Sequence, residues 1–110
     1  MMLEPIFGSK NRERVLVFIQ ARDTGYAREI ARFFDTDHFP IQKQLVRLEN
    51  GGVVVSKVVG RTVLYEFNPR YALLNELKAM LDKAISFYPE DLQERLLMNR
   101  RRPRRRGKPE

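Results

Sequence analysis

The chain contains no cysteine. That excludes a disulfide framework, a thiolate metal site and a cysteine nucleophile, and it is compatible with a reducing compartment. Histidine is scarce too: His38 is the only one. A lone imidazole beside Asp37 is a poor metal site, and no Ser/His/Asp arrangement can be argued from one histidine at a helix start. There is no glycine-rich phosphate loop, since the Gly51-Gly52 pair sits at a helix end, the wrong side for holding phosphate. No apolar run approaches the ~18–20 residues of a membrane span. Met1 to Gly8 lacks the basic start and long apolar stretch of a secretory signal. No internal repeat is present. From these absences we expect no enzyme, no metal, no cofactor and no membrane partner, and a cytoplasmic location.

What the chain does hold is positive charge, unevenly placed. Its 110 residues carry a formal net charge of +7. Residues 100 to 110 contain six Arg, one Lys and one Glu, leaving 14 basic and 13 acidic side chains in the other 99. The overall charge therefore overstates how basic a folded body would be. Positions 9 to 70 hold 11 basic and 7 acidic residues, and 71 to 99 hold 3 and 5, so the front part is the basic part. Residues 1–98 are long enough for one domain with a core. In the tail, 99–110, like charges and prolines leave nothing to bury, which predicts disorder.

Hydrophobic spacing predicts the elements. SKNRERVLVFIQ reads as a first helix with Ser9 as N-cap and a broad apolar face of Val15, Leu16, Phe18 and Ile19. ARDTG breaks it as a turn. YAREIARFFD reads as a short second helix, with Ala27, Ile30, Ala31 and Phe34 on one face and Arg28, Glu29 and Arg32 on the other. Asp35, Thr36 and Asp37 make a tight connection. Asp37 is placed to cap a third helix, with Pro40 in its first turn and Gly51-Gly52 ending it by a left-handed conformation. VVVSKV and TVLYEF read as a β-hairpin around a Val-Gly-Arg turn, in uncertain register. Asn68-Pro69 is expected to restart a helix, Asn as cap. In it Leu74, Leu77, Leu81, Ala84 and Tyr88 form a heptad-like seam, and Leu73, Met80 and Phe87 a neighbouring stripe. Pro89 interrupts, and PEDLQERLLM follows as one further short helix.

Two short helices about three residues apart, the second followed at once by a hairpin, match the winged form of the helix-turn-helix. The fold class expected is mainly α with a small β-hairpin wing and a long C-terminal helix for dimerisation, about 69–98. At ~100° per residue Ile41, Leu45 and Leu48 cluster within about 60°. Phe39, Lys43, Val46 and Arg47 occupy the opposite arc, flanked by Gln42. That mixture of amide, cation and apolar group is what base edges in a major groove require: Gln pairs with adenine, Arg or Lys with guanine, an apolar group with the thymine methyl. Phe39 has two readings, exposed on this face or tucked beneath the turn as core. His38 is a polar residue at the helix start within reach of a duplex. Lys57, Arg61 and Thr62 lie near the hairpin tip, where they could reach phosphates or an adjacent minor groove. Arg28, Arg32 and Thr36 are candidates for backbone contact.

The tail cations Arg100, Arg101, Arg102, Arg104, Arg105, Arg106 and Lys108 would add salt-sensitive, sequence-indifferent attraction to nucleic acid. They would serve equally as a targeting signal or for an acidic partner. The two apolar stripes suggest that one faces the chain's own domain and the other a second subunit, with Leu73, Leu74, Leu77, Met80, Leu81, Ala84, Phe87 and Tyr88 as interface candidates.

IFGSKNRERVLVFI, YAREIARFF, IQKQLVRLENGGVV and VVGRTVLYEFNP together resemble winged helix-turn-helix regulators of the ArsR/MarR-like class, stand-alone or nucleotidyltransferase-associated. The resemblance spans roughly residues 6 to 85. Its most specific part is the pattern L-x-R-L-E-x-x-G at Leu45 to Gly52. It implies a dimeric, double-stranded-DNA-binding transcriptional regulator, whose third helix (about 37–50) enters the major groove and whose hairpin (about 53–67) is the wing. Metal-sensing members use Cys or His clusters, which this chain lacks. The expectation is a homodimeric repressor associated with the nucleoid. The alternative is a winged-helix protein-interaction module with a nucleic-acid-binding basic tail.

Overall fold

The structure is a computed structural model, and it describes residues 1–97. Its elements are α1 (Glu4–Phe7), α2 (Lys10–Arg22), β1 (Thr24–Gly25), α3 (Ala27–Phe33), α4 (His38–Asn50), β2 (Val54–Val59), β3 (Thr62–Phe67) and α5 (Leu74–Ile85). A further helical segment, α6, covers 90–97. The Arg-rich tail and the domain boundary expected at 98 lie outside the described residues.

Local chemistry sets the helix limits. The Ser9 hydroxyl accepts from the Arg12 amide at 3.1 Å, satisfying an otherwise unpaired donor of the first turn of α2. Asp37 occupies the N-cap position of α4 with extended backbone, but its side chain makes no capping hydrogen bond. At the other end of α4, Gly52 is left-handed (φ 80°) while Gly51 is not. The Val53 amide bonds the Leu48 carbonyl at 2.9 Å, and that of Gly52 bonds Glu49 at 3.0 Å. This double closure stops the helix and turns the chain into the hairpin.

The sheet is antiparallel in the order β1-β3-β2. The hairpin register runs from Val54 opposite Phe67 to Val59 opposite Thr62, around a two-residue turn, Gly60-Arg61. Its third strand is a departure from the expected turn at ARDTG: Thr24 and Gly25 pair with Glu66 and Tyr65. Gly25 permits this because a Cβ there would stand 3.0 Å from the Phe18 ring and 3.1 Å from Ile30.

The core gathers Phe18 and Ile19 of α2, Ile30 of α3, Ile41 and Leu45 of α4, Val54 of β2, Leu81 of α5 and Leu96 of α6, all fully buried. Helix α2 is central and packs against both α4 and α5.

The C-terminal part departs most from expectation. Asn68 does not start a helix. Its amide bonds the Val53 carbonyl (2.9 Å), its side-chain NH₂ bonds Gly52 (2.9 Å), and its side-chain oxygen accepts from Arg70 (3.0 Å). These bonds staple the end of the wing to the end of α4, so the helix is delayed to Leu74. Helix α5 is 12 residues long, shorter than the helix expected to start at Asn68, whereas the break at Pro89 and the short helix after it are as expected. After α5 the chain turns at residues 86–89, and α6 folds back so that Leu96 reaches the core. Arg22 fixes it there, donating to the carbonyls of Leu96 and Arg95, both at 2.9 Å, with its guanidinium over Phe18.

Candidate nucleic-acid interface

The two sides of α4 have opposite environments. Ile41, Gln44, Leu45 and Leu48 are buried, and Lys43, Val46 and Arg47 are exposed. Phe39 is 81 % exposed, which decides between its two readings: the ring stands on the outer face, its centroid 6.1 Å from that of the neighbouring His38 ring. The only acidic side chain of α4 is Glu49, and it is turned away, accepting from Ser56 of β2 at 2.6 Å. Lys43 and Arg47 thus stand on a face from which the helix's own carboxylate is withdrawn.

Three contacts hold α4 in this orientation. Arg12 Nε of α2 donates to Gln44 Oε1 at 2.9 Å, Gln42 Nε2 donates to the Tyr65 hydroxyl at 3.2 Å, and Glu49 takes the Ser56 bond just described. Tyr65 is itself buried, so helix and wing are coupled through a rigid group. Gln42 is therefore partly committed within the chain, keeping one amide hydrogen and its oxygen for other use. Gln44, Arg12 and Tyr65 were not singled out in the sequence. Gln44 was nonetheless legible as buried, because it stands three residues from Ile41 and four from Leu48.

A cleft of about 230 Å³ opens between the start of α3, the start of α4 and the hairpin tip, with Arg28, His38, Gln42, Arg61 and Thr62 in its lining. Residues separated by more than 30 positions in sequence are thereby brought to one place. The result is a basic notch beside the outer face of α4. Arg32 is exposed on α3, and Thr36 is half-buried in the turn, where its amide bonds Ala31; neither lines that cleft. Lys57 pairs with Glu66 across the hairpin at 3.8 Å, an exposed contact of small energetic weight. Val58, Val59 and Val63 are exposed at the hairpin tip on either side of Arg61, an apolar tip that the imperfect alternation of the strands does not signal.

The interface candidates on and around α5 separate into groups. Leu81, Ala84 and Tyr88 are buried within the chain itself and have no surface to offer a partner. Leu74, Leu77 and Met80 are half-buried. Leu73 and Phe87 remain 58 % and 61 % exposed.

Among the described residues no cluster of three or more His, Asp or Glu could hold a metal ion, and no helix is long and apolar enough to cross a membrane. No family model matches the chain, and no curated protein matches it. Solved structures do. HlyU from Vibrio cholerae, in its reduced form, superposes with a TM-score of 0.60 at 18 % identity, covering 80 % of this chain and 86 % of that one. A cysteine-to-serine mutant of MarR from Escherichia coli gives 0.58 at 19 % identity, over 88 % and 69 %. A double mutant of ZitR from Lactococcus lactis, with one cysteine and one histidine replaced by alanine and in apo form, gives 0.55 at 14 % identity, over 84 % and 79 %. All three are winged-helix transcriptional regulators. The order of helices, the hairpin after α4 and these likenesses establish that the chain has the winged-helix fold.

Proposed function

We propose that the protein is a homodimeric, sequence-specific DNA-binding transcriptional regulator, acting as a repressor by occluding a promoter rather than as an enzyme. In this reading α4 enters the major groove, and the β2–β3 hairpin lies on backbone or minor groove. The observation that carries it is the outer face of α4: Phe39, Lys43, Val46 and Arg47 are exposed, while the opposite face is locked into the core and Glu49 is drawn aside to Ser56. The cleft, with Arg28 and Arg61 in its lining, is suited to a phosphate flanking the groove, which would orient the protein without reading sequence.

Dimerisation rests on the exposed Leu73 and Phe87, with half-buried Met80 between them at seven-residue spacing. A symmetric pair would set two α4 helices about 34 Å apart, one turn of duplex. The tail cations add a non-specific, salt-sensitive attraction.

The test is selection from random duplex DNA with the full chain. An enriched sequence, bound about 1–3 kcal/mol more weakly by each of Lys43→Ala and Arg47→Ala, supports the reading. Wild-type binding by both variants overturns it. Removal of residues 99–110 should reduce the salt dependence and leave the preferred sequence unchanged.

A further inference from the structure

The outer face of α4 carries two apolar groups whose exposure has no structural explanation within the chain. Phe39 is 81 % exposed and Val46 41 % exposed. They are seven residues apart, nearly two full turns, so they share one line along the helix, separated by about 10 Å of axial rise. Lys43 lies between them on that line, and Arg47 adjoins it. An apolar pair enclosing a cation, with no carboxylate on the face, suits a polyanion that also presents apolar groups. A protein helix of the kind that fills hydrophobic grooves would be matched to neither Lys43 nor Arg47. A major groove carries both requirements: guanine acceptors and phosphates for the cations, and the 5-methyl of thymine for the apolar side chains.

We propose that Phe39 and Val46 are thymine-reading residues, each packing on a thymine methyl. With α4 lying along the groove, their separation corresponds to about three base pairs at 3.4 Å each. Lys43 addresses the base pairs between them. This rests on the DNA-binding reading above and deepens it, since it specifies what is read.

The experiment uses the full chain and the duplex recovered by selection, with its thymines replaced singly by deoxyuridine, which deletes only the methyl. Binding is followed by competition anisotropy. Two positions about three base pairs apart should each lose about 4-fold in affinity, the equivalent of ~0.8 kcal/mol for one methyl-sized apolar group. Phe39→Ala should abolish the penalty at one position and Val46→Ala at the other; both side chains are exposed, so neither change disturbs the core. If every deoxyuridine duplex binds like its thymine parent, the thymine assignment is wrong while DNA binding stands. The assignment also fails if both alanine variants keep the full penalty. If selection enriches no sequence, this inference and the regulator reading fall together.

Discussion

Glu13, fully buried on α2, accepts a hydrogen bond from the Tyr88 hydroxyl at 2.5 Å and another from the Leu3 amide at 2.8 Å. One carboxylate thereby ties the N-terminal segment and the chain beyond α5 to the central helix. A carboxyl group at 0 % exposure is tolerable only because both oxygens are satisfied. Tyr88→Phe leaves one oxygen unpartnered inside the core. We expect this substitution to lower unfolding stability by about 1.5–3 kcal/mol, the range for a hydrogen bond to a charged group. Urea denaturation followed by circular dichroism measures it, and an unchanged midpoint would contradict the geometry.

The same contact gives the fold an alkaline limit. Burial, reinforced by the hydrogen bond to Glu13 and by its charge, holds the Tyr88 hydroxyl well above the ordinary tyrosine range. A raised pKa means that the folded state holds the proton more tightly than the unfolded one. The associated stability is complete below about pH 10, the unfolded value, and is lost as pH rises beyond it. Thermal melts between about pH 8 and 11 should show the midpoint falling above about pH 10. In Tyr88→Phe that part of the fall should be missing.

Gly25 sits in β1 against the Phe18 ring, where an added Cβ would stand 3.0 Å from Phe18 and 3.1 Å from Ile30. Gly25→Ala should cost about 1–3 kcal/mol by overpacking, since it requires the fully buried Phe18 and Ile30 to shift. Thermal denaturation tests this directly.

Gln44 holds α4 to α2 by accepting from Arg12. Gln44→Ala should lower stability by about 1 kcal/mol. It should also weaken binding to the selected duplex by loosening the helix that presents Lys43 and Arg47. Affinity equal to wild type would mean that packing of Ile41, Leu45 and Leu48 is enough to orient α4.

For self-association the informative residues are Leu73 and Phe87. The double substitution Leu73→Ser with Phe87→Ser should leave helix content unchanged, because both side chains are exposed. It should shift the protein toward monomer in sedimentation velocity.

Much of the candidate site could be anticipated from residue order. The amphipathic pattern of residues 41 to 48 reports which side of α4 is buried, because a helix has a fixed angular step and only apolar side chains gain by leaving water. The glycine pair, the short connection at 35–37 and the β-branched segments on either side of Gly60 have local causes as well, in allowed dihedrals and turn length.

The tertiary structure decided what depends on partners far away in the chain. Spacing identified Tyr88 and Leu81 as apolar-face residues of a helix, but whether that face meets its own domain or another copy depends on where Pro89 sends α6. Glu13 reads as one more surface acid until Leu3 and Tyr88 converge on it. Asn68 reads as a helix cap, a local role, until Gly52 and Val53 offer it bonds across the hairpin. Phe39 had two positions consistent with its spacing, and only the packing beneath the turn left its ring outside. The sequence by itself determined the helices on either side of the 35–37 turn, the hairpin and the two-sided character of α4, because those follow from short-range periodicity. Contacts between distant residues decided which polar groups became structural and which were left facing outward, because burial is a property of the assembled core.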